Sequence, residues 1–256
     1  MTAFIILTIM PFMSCTYIST SLIYKAPPDA VIDTAYIPDS AVITSKEGER
    51  VVTGLFYKGD STLVVLFHGN NGTINNELQC ARWFSDRGRS VLLPEYPGFG
   101  VSSRYSPNEK NIYADSASLI RFIQETFRFD AEKTIVVGRS LGAAVATEMA
   151  TRNLGWRLIL ITPFSSMNEM FIQKGAPRIL VPFINNQRYN NQAKAKAITI
   201  PTLIVGSSDD AVIPLSMAKE LRKQLNDASL IIVKSSSHGS IYNDFPEEVI
   251  ARMVSF

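Results

Sequence analysis

Apolar residues in this chain come in short unbroken runs separated by longer stretches of mixed polarity. The runs are "TLVVLF" (62–67), "SVLLP" (90–94), "TIVVG" (134–138), "RLILI" (157–161), "TLIVG" (202–206) and "LIIVK" (230–234). Runs of this length, rich in β-branched residues, predict strands buried on both faces of a parallel sheet. "RVVTGLFY" (50–57) alternates instead and predicts an edge strand. Between the runs, helical periodicity appears near 75–87, 111–126, 141–153, 215–226 and 240–254, with Asn111 and Ser140 at expected helix caps. Strand–helix alternation over this length predicts an α/β fold with helices on both sides of the sheet.

Two segments break the rhythm. Residues 162–201 contain four prolines and the stretch "MNEMFIQKGAPRILVPFI", so a cap or lid is expected over about 162–200. Its apolar residues, Met170 and Phe171 among them, are expected to bind substrate, as an acyl-chain pocket under a short lid, with a helix or two packed on the domain as the alternative. Ahead of the alternating region, "KAPPDAVIDTAYIPDS" (25–40) is rich in proline and aspartate, and residues 15–40 are expected to be a linker.

The N-terminus changes the picture more than the overall composition does. No charged side chain precedes Lys25, and Ala3–Met13 is an apolar run followed by Ser14 and Cys15. The run is short for a membrane span but suits a signal-peptide core. Ser14-Cys15 is similar to a bacterial lipoprotein cleavage site, so residues 1–14 are expected to be a signal peptide and Cys15 a lipidation site. An uncleaved anchor running to Tyr24 and an ordinary buried N-terminal segment are the alternatives. Either of the first two holds the chain at a membrane, so attachment through the N-terminus is expected. The net charge of +2 and the absence of a long charge run give no argument for nucleic acid, so no such partner is expected, and two cysteines are too few for a disulfide framework.

The candidate chemistry starts at Gly138-Arg139-Ser140-Leu141-Gly142, a G-x-S-x-G pattern where a strand is expected to become a helix. A serine held in such a turn needs small neighbours two positions away. It also needs a base, and the base needs an orienting acid. His238 is the only histidine after Ser140, and it follows the last expected strand. The acid belongs in "TLIVGSSDDAVIP". Counting from Gly206 favours Asp209. The Asp-x-Val-Ile-Pro spacing favours Asp210, which is the expected acid. An oxyanion needs two backbone N–H groups. These are expected at Leu141 and in "LFHGNNGTI", at Asn70 with Asn71 as fallback. His68 precedes the serine and is expected to brace that loop. Tyr96, in the turn "EYPGFG", is expected to line the substrate pocket. Arg139 reads more readily as a salt-bridging residue than as an anion receptor.

Together "FHGNNG" (67–72), "PEYPGFGVS" (94–102), "GRSLGAAVA" (138–146), "PFSS" (163–166), "IPTLIVGSSDD" (200–210) and His238 resemble the α/β-hydrolase superfamily. The likeness is strongest to its single-domain, membrane-attached serine hydrolases related to protein depalmitoylases. It covers residues 41–256 and implies an eight-stranded, mostly parallel sheet flanked by helices, with a short cap insertion. It also implies a triad of Ser140, Asp210 and His238, and oxyanion N–H groups at Asn70 and Leu141. The extra residue in "GSSDDAVIP" departs from the family pattern. The expected activity is hydrolysis of a carboxylic ester or thioester in a small-molecule, lipid or acylated substrate, with no metal and no cofactor. A serine aminopeptidase and a non-catalytic, membrane-tethered binding module are the alternatives.

Overall fold

Alternate side chains of the central strands enter two separate cores. In β3 (Leu63–Phe67), Leu63, Val65 and Phe67 face one side of the sheet and Val64 and Leu66 the other. This is the period-two consequence of a strand whose every residue is buried. The computed structural model describes residues 20, 22–25, 27, 31–234 and 236–256. The expected signal segment 1–14 and Cys15 lie outside the described residues. The strands preceding β3 are β1 (Ala41–Glu47) and β2 (Arg50–Tyr57), and those following are β4 (Ser90–Pro94), β5 (Thr134–Arg139), β6 (Arg157–Ile161), β7 (Thr202–Ser207) and β8 (Ala228–Val233). They form one eight-stranded sheet in the order β1-β2-β4-β3-β5-β6-β7-β8. Only the β1–β2 and β2–β4 pairs are antiparallel.

Helices cover both faces, as strands buried on both sides require. One core takes Leu119 and Ile120 of α2 (Glu109–Phe127) and Ala143 and Met149 of α3 (Leu141–Thr151). The other takes Leu78, Ala81 and Phe84 of α1 (Leu78–Ser85), and Val249 and Met253 of a C-terminal helix, Glu247–Ser255. Cys80 is a free, fully buried thiol on α1. The cap consists of α4 (Met167–Gln173), α5 (Val181–Ile184) and α6 (Asn191–Ala195); α7 (Leu215–Gln224) and the C-terminal helix, α8, complete the chain.

Several expectations are corrected. The edge strand on this side is β1, whose exposed and half-exposed residues hid it; "RVVTGLFY" sits one strand in. Helix α2 starts before Asn111, because the Asn108 side chain is the cap and accepts the Asn111 N–H at 2.8 Å. The last helix begins after Pro246, since a residue before proline is held out of the helical region. The described part of the expected linker is packed on the domain: Ile23, Tyr24, Ile32 and Ile37 are all buried. Tyr24, where a longer anchor would end, donates to Gln187 at 3.0 Å and meets the Tyr189 hydroxyl at 2.7 Å. No helix among the described residues is long and apolar enough to cross a membrane.

Candidate active site

Ser140 joins β5 to α3 with φ 55° and ψ −117°, a conformation that a non-glycine residue tolerates only where its surroundings hold it. The two flanking glycines make the turn possible. A Cβ on Gly138 would lie 2.0 Å from the Gly142 oxygen, and one on Gly142 would lie 2.0 Å from the Phe67 oxygen. The elbow is tied to the sheet by the Ser140 N–H, which donates to Ile161 at 2.9 Å. The Ser140 side chain does not cap α3, so its hydroxyl is available to a partner across the sheet edge.

That partner is His238, in the loop after β8. Its Nε2 lies 3.0 Å from Ser140 Oγ, and its Nδ1 lies 2.7 Å from Asp210 Oδ2. The loops after β7 and β8 are joined by the Ser207 hydroxyl, which donates to the Ser236 carbonyl. The other Asp210 oxygen accepts the N–H groups of Val212 and Ile213, each at 2.8 Å. Burial pushes the Asp210 carboxyl up, but the hydrogen bond with His238 and those two N–H groups outweigh it and hold the group below the usual aspartate range. Asp209 points to solvent. A lowered carboxyl contributes stability that is full above the ordinary aspartate pKa, about 3.9, and is lost as pH falls through the lower folded value. Acid-unfolding curves are therefore expected to be shallower in this range for Asp210→Asn than for the native chain.

The loop after β3 lies against the elbow. His68 Nδ1 donates to the Gly69 carbonyl at 2.8 Å, and its Nε2 is 2.9 Å from the buried Glu95 carboxylate. Its bracing position matches the expectation. Tyr96 does not line the pocket. It is 1% exposed, stacks on His68 with centroids 3.9 Å apart, and donates to the His68 carbonyl. The short turn after β4 runs beneath the loop rather than along the cleft, so Tyr96 supports the site from below. Arg139 is committed to Glu77 at 2.8 Å, and the Tyr242 hydroxyl holds the other Glu77 oxygen. Burial would push the guanidinium down; Glu77 outweighs it and keeps Arg139 charged.

Two chambers meet at Ser140. An apolar cavity of about 70 Å³ is walled by Phe164, Met167, Met170, Phe171 and Ile213, and it includes Asn70 and Leu141. Met170 and Phe171, the residues expected to bind substrate, both line this cavity. Leu22 and Ile23 complete this wall, and sequence reasoning missed them. The only hint was the apolar "LIY" directly before the proline-rich stretch. They are fastened to the loop after β3: Asn70 Nδ2 donates to the Ile23 carbonyl at 2.7 Å, and the Lys25 N–H donates to the Asn70 carbonyl at 3.1 Å. On the other side, a polar chamber of about 270 Å³ is lined by Asn71, Asn76, Arg139 and His238.

A mostly parallel eight-stranded sheet bearing serine, aspartate and histidine in that chain order, on the loops after three of its strands, defines an α/β hydrolase. The chain belongs to the family described as serine aminopeptidase, S33, whose model matches residues 60–196; a model described as TAP-like protein matches residues 179–252. An uncharacterised Mycobacterium tuberculosis protein is 26% identical over 70% of this chain and 64% of its own length. Lysophosphatidylserine lipase ABHD12 of Danio rerio is 27% identical over 64% of this chain and 47% of its own. The chain thus spans less than two thirds of either relative. Among solved structures, the Pyrococcus furiosus esterase Pf2001 superposes with a TM-score of 0.74 at 14% identity, covering 91% of this chain and 95% of that one.

Proposed function

We propose that this chain is a serine hydrolase that cleaves carboxylic esters or thioesters through an acyl-enzyme on Ser140, and that its N-terminus holds it at a membrane. The observation that carries the reading is the hydrogen-bonded series Ser140–His238–Asp210 at the junction of an apolar and a polar chamber. His238 Nε2 takes the Ser140 proton as Oγ bonds to the acyl carbon. Asp210 holds the imidazole with Nδ1 protonated and stabilises its cation. The N–H groups of Asn70 and Leu141 stabilise the oxyanion; Leu141, first residue of α3, has no intrahelical acceptor for its N–H. His238 then gives its proton to the leaving oxygen or sulfur as the acyl bond breaks. Water repeats the cycle and frees the acid. His238 borders only the polar chamber, so the leaving group belongs there and the acyl chain belongs in the apolar cavity.

The family's description favours a second reading, an aminopeptidase. Such an enzyme needs an acidic group for the substrate amine. Among the described residues lining the apolar cavity the single charged side chain is Lys174, a cation. The test is a series of acyl esters and thioesters of increasing chain length, run beside aminoacyl amides. Esters are expected to turn over at least about a hundredfold faster than amides, with an optimum chain length. Faster amide cleavage would replace this reading with the peptidase. Turnover of neither by folded protein would leave a binding module.

A further inference from the structure

The cap carries an apolar tip that neither the fold nor the proposed chemistry uses. Ile179 is 77% exposed, Phe183 78% and Leu180 51%, while Val181 between them is fully buried and roots the tip in the domain. The tip leaves and rejoins the helix that walls the acyl cavity. The Ala176 N–H donates to the Phe171 carbonyl at 3.0 Å, and Asn185 Nδ2 donates to Asn168 Oδ1 at 2.8 Å. At the cavity itself, Leu22 and Val212 are also about half exposed. Each large apolar side chain left in water forgoes the favourable transfer that burial would bring, so several of them beside one opening call for an occupant.

We propose that this tip inserts into the surface of an anionic lipid bilayer, with the mouth of the acyl cavity facing the lipid. Three observations favour a bilayer over a protein. First, residues 162–200 carry five basic side chains and one acid, Glu169, although the whole chain has a net charge of only +2. Arg178 pairs with Glu169 and Lys194 with Glu148, while Lys174, Arg188 and Lys196 are exposed and form no ion pair among the described residues. Lys174, at the cavity mouth, and Arg188 flank the apolar tip in the chain, and cations flanking exposed apolar groups match anionic headgroups over acyl chains. Second, the tip is far smaller than the roughly 20–30 residues per side of a stable protein interface. Third, in the sequence the apolar run Ala3–Met13 ends eight residues before Leu22, and eight residues span at most about 30 Å, so a membrane contact made by that run would lie within that reach of the cavity mouth.

The docking claim rests on the hydrolase reading only for its purpose, and the test separates the two. Phe183→Trp, in the full chain, is mixed with phosphatidylcholine vesicles with and without phosphatidylglycerol, carrying brominated acyl chains. The native chain serves as the background for Trp83 and Trp156. Quenching of the introduced indole, at least threefold stronger with the anionic lipid, is expected. The double variant Ile179→Ser/Phe183→Ser is expected to lose about tenfold or more in hydrolysis of an ester presented in those vesicles, and to retain its rate on a short soluble ester. No quenching, or equal quenching on neutral vesicles, would overturn the proposal. So would vesicle-independent self-association that the double variant abolishes, which would assign the tip to a second copy. So too would blue-shifted emission from the introduced indole that vesicles leave unchanged, which would mean the chain covers its own tip. Quenching without turnover of any ester would sink the hydrolase reading and leave docking intact.

Discussion

Replacing Ser140 with alanine is expected to lower ester turnover by about 10⁴-fold or more, to a residue supplied by the oxyanion groups and binding alone. Among the described residues the side chain of Ser140 makes one polar contact, to His238, and no helix-capping bond. Its removal therefore takes away the nucleophile with little structural penalty. Alanine also faces the same backbone cost at φ 55° that serine already bears. The folded-state stability is accordingly expected to stay within about 1 kcal/mol of the native chain. A fluorescent fluorophosphonate read on a gel is the direct check. Native protein should label, Ser140→Ala should not, and both should melt together. Equal labelling or unchanged turnover in the variant would remove Ser140 from the mechanism.

Gly142→Ala is expected to cost more than about 4 kcal/mol, enough to unfold a marginally stable domain. The new methyl would lie 2.0 Å from the Phe67 oxygen and 2.5 Å from the carbon bearing it. Both atoms belong to the backbone at the end of β3, which is paired on one side to β4 and on the other to β5. Neither neighbour can yield without breaking the centre of the sheet. Gly239, next to His238, is the control: a Cβ there meets nothing within 4 Å, so Gly239→Ala is expected to shift stability by under about 0.5 kcal/mol. Denaturant midpoints measured on all three proteins would show the contrast. A fully folded Gly142→Ala would mean that the elbow tolerates a wider approach of α3 to β3 than its geometry implies.

The elbow glycines also explain how much was legible in the sequence. The elbow leaves a local trace because its steric demand falls on residues two positions from the serine. The buried strands were readable for a similar reason: burial on both faces forces continuous apolar runs. Asp210 and Asp209 were harder to separate, because spacing alone ignores the bend that turns one carboxylate onto the Val212 and Ile213 N–H groups. Tyr96 was misplaced because a turn sequence does not say on which side of a loop it runs. The wall made by Leu22 and Ile23 was invisible for a different reason. Two apolar residues before a run of prolines have no periodicity, and only contacts with residues far along the chain define their place. Glu77, the partner that neutralises Arg139, sits 62 positions away and carries no motif.

The fastening of Tyr24 sets an order of events in synthesis. Its hydroxyl partners, Gln187 and Tyr189, lie 163 and 165 positions downstream. A ribosome adding roughly 5–20 residues per second produces them on the order of ten seconds or more after Tyr24. Ile23 and Lys25 can meet Asn70, 47 positions on from Ile23, much earlier, so the segment can dock on the loop after β3 well before the cap exists to close over Tyr24. The Tyr24 side chain, among the earliest described parts to be made, is thus among the last to gain its partners.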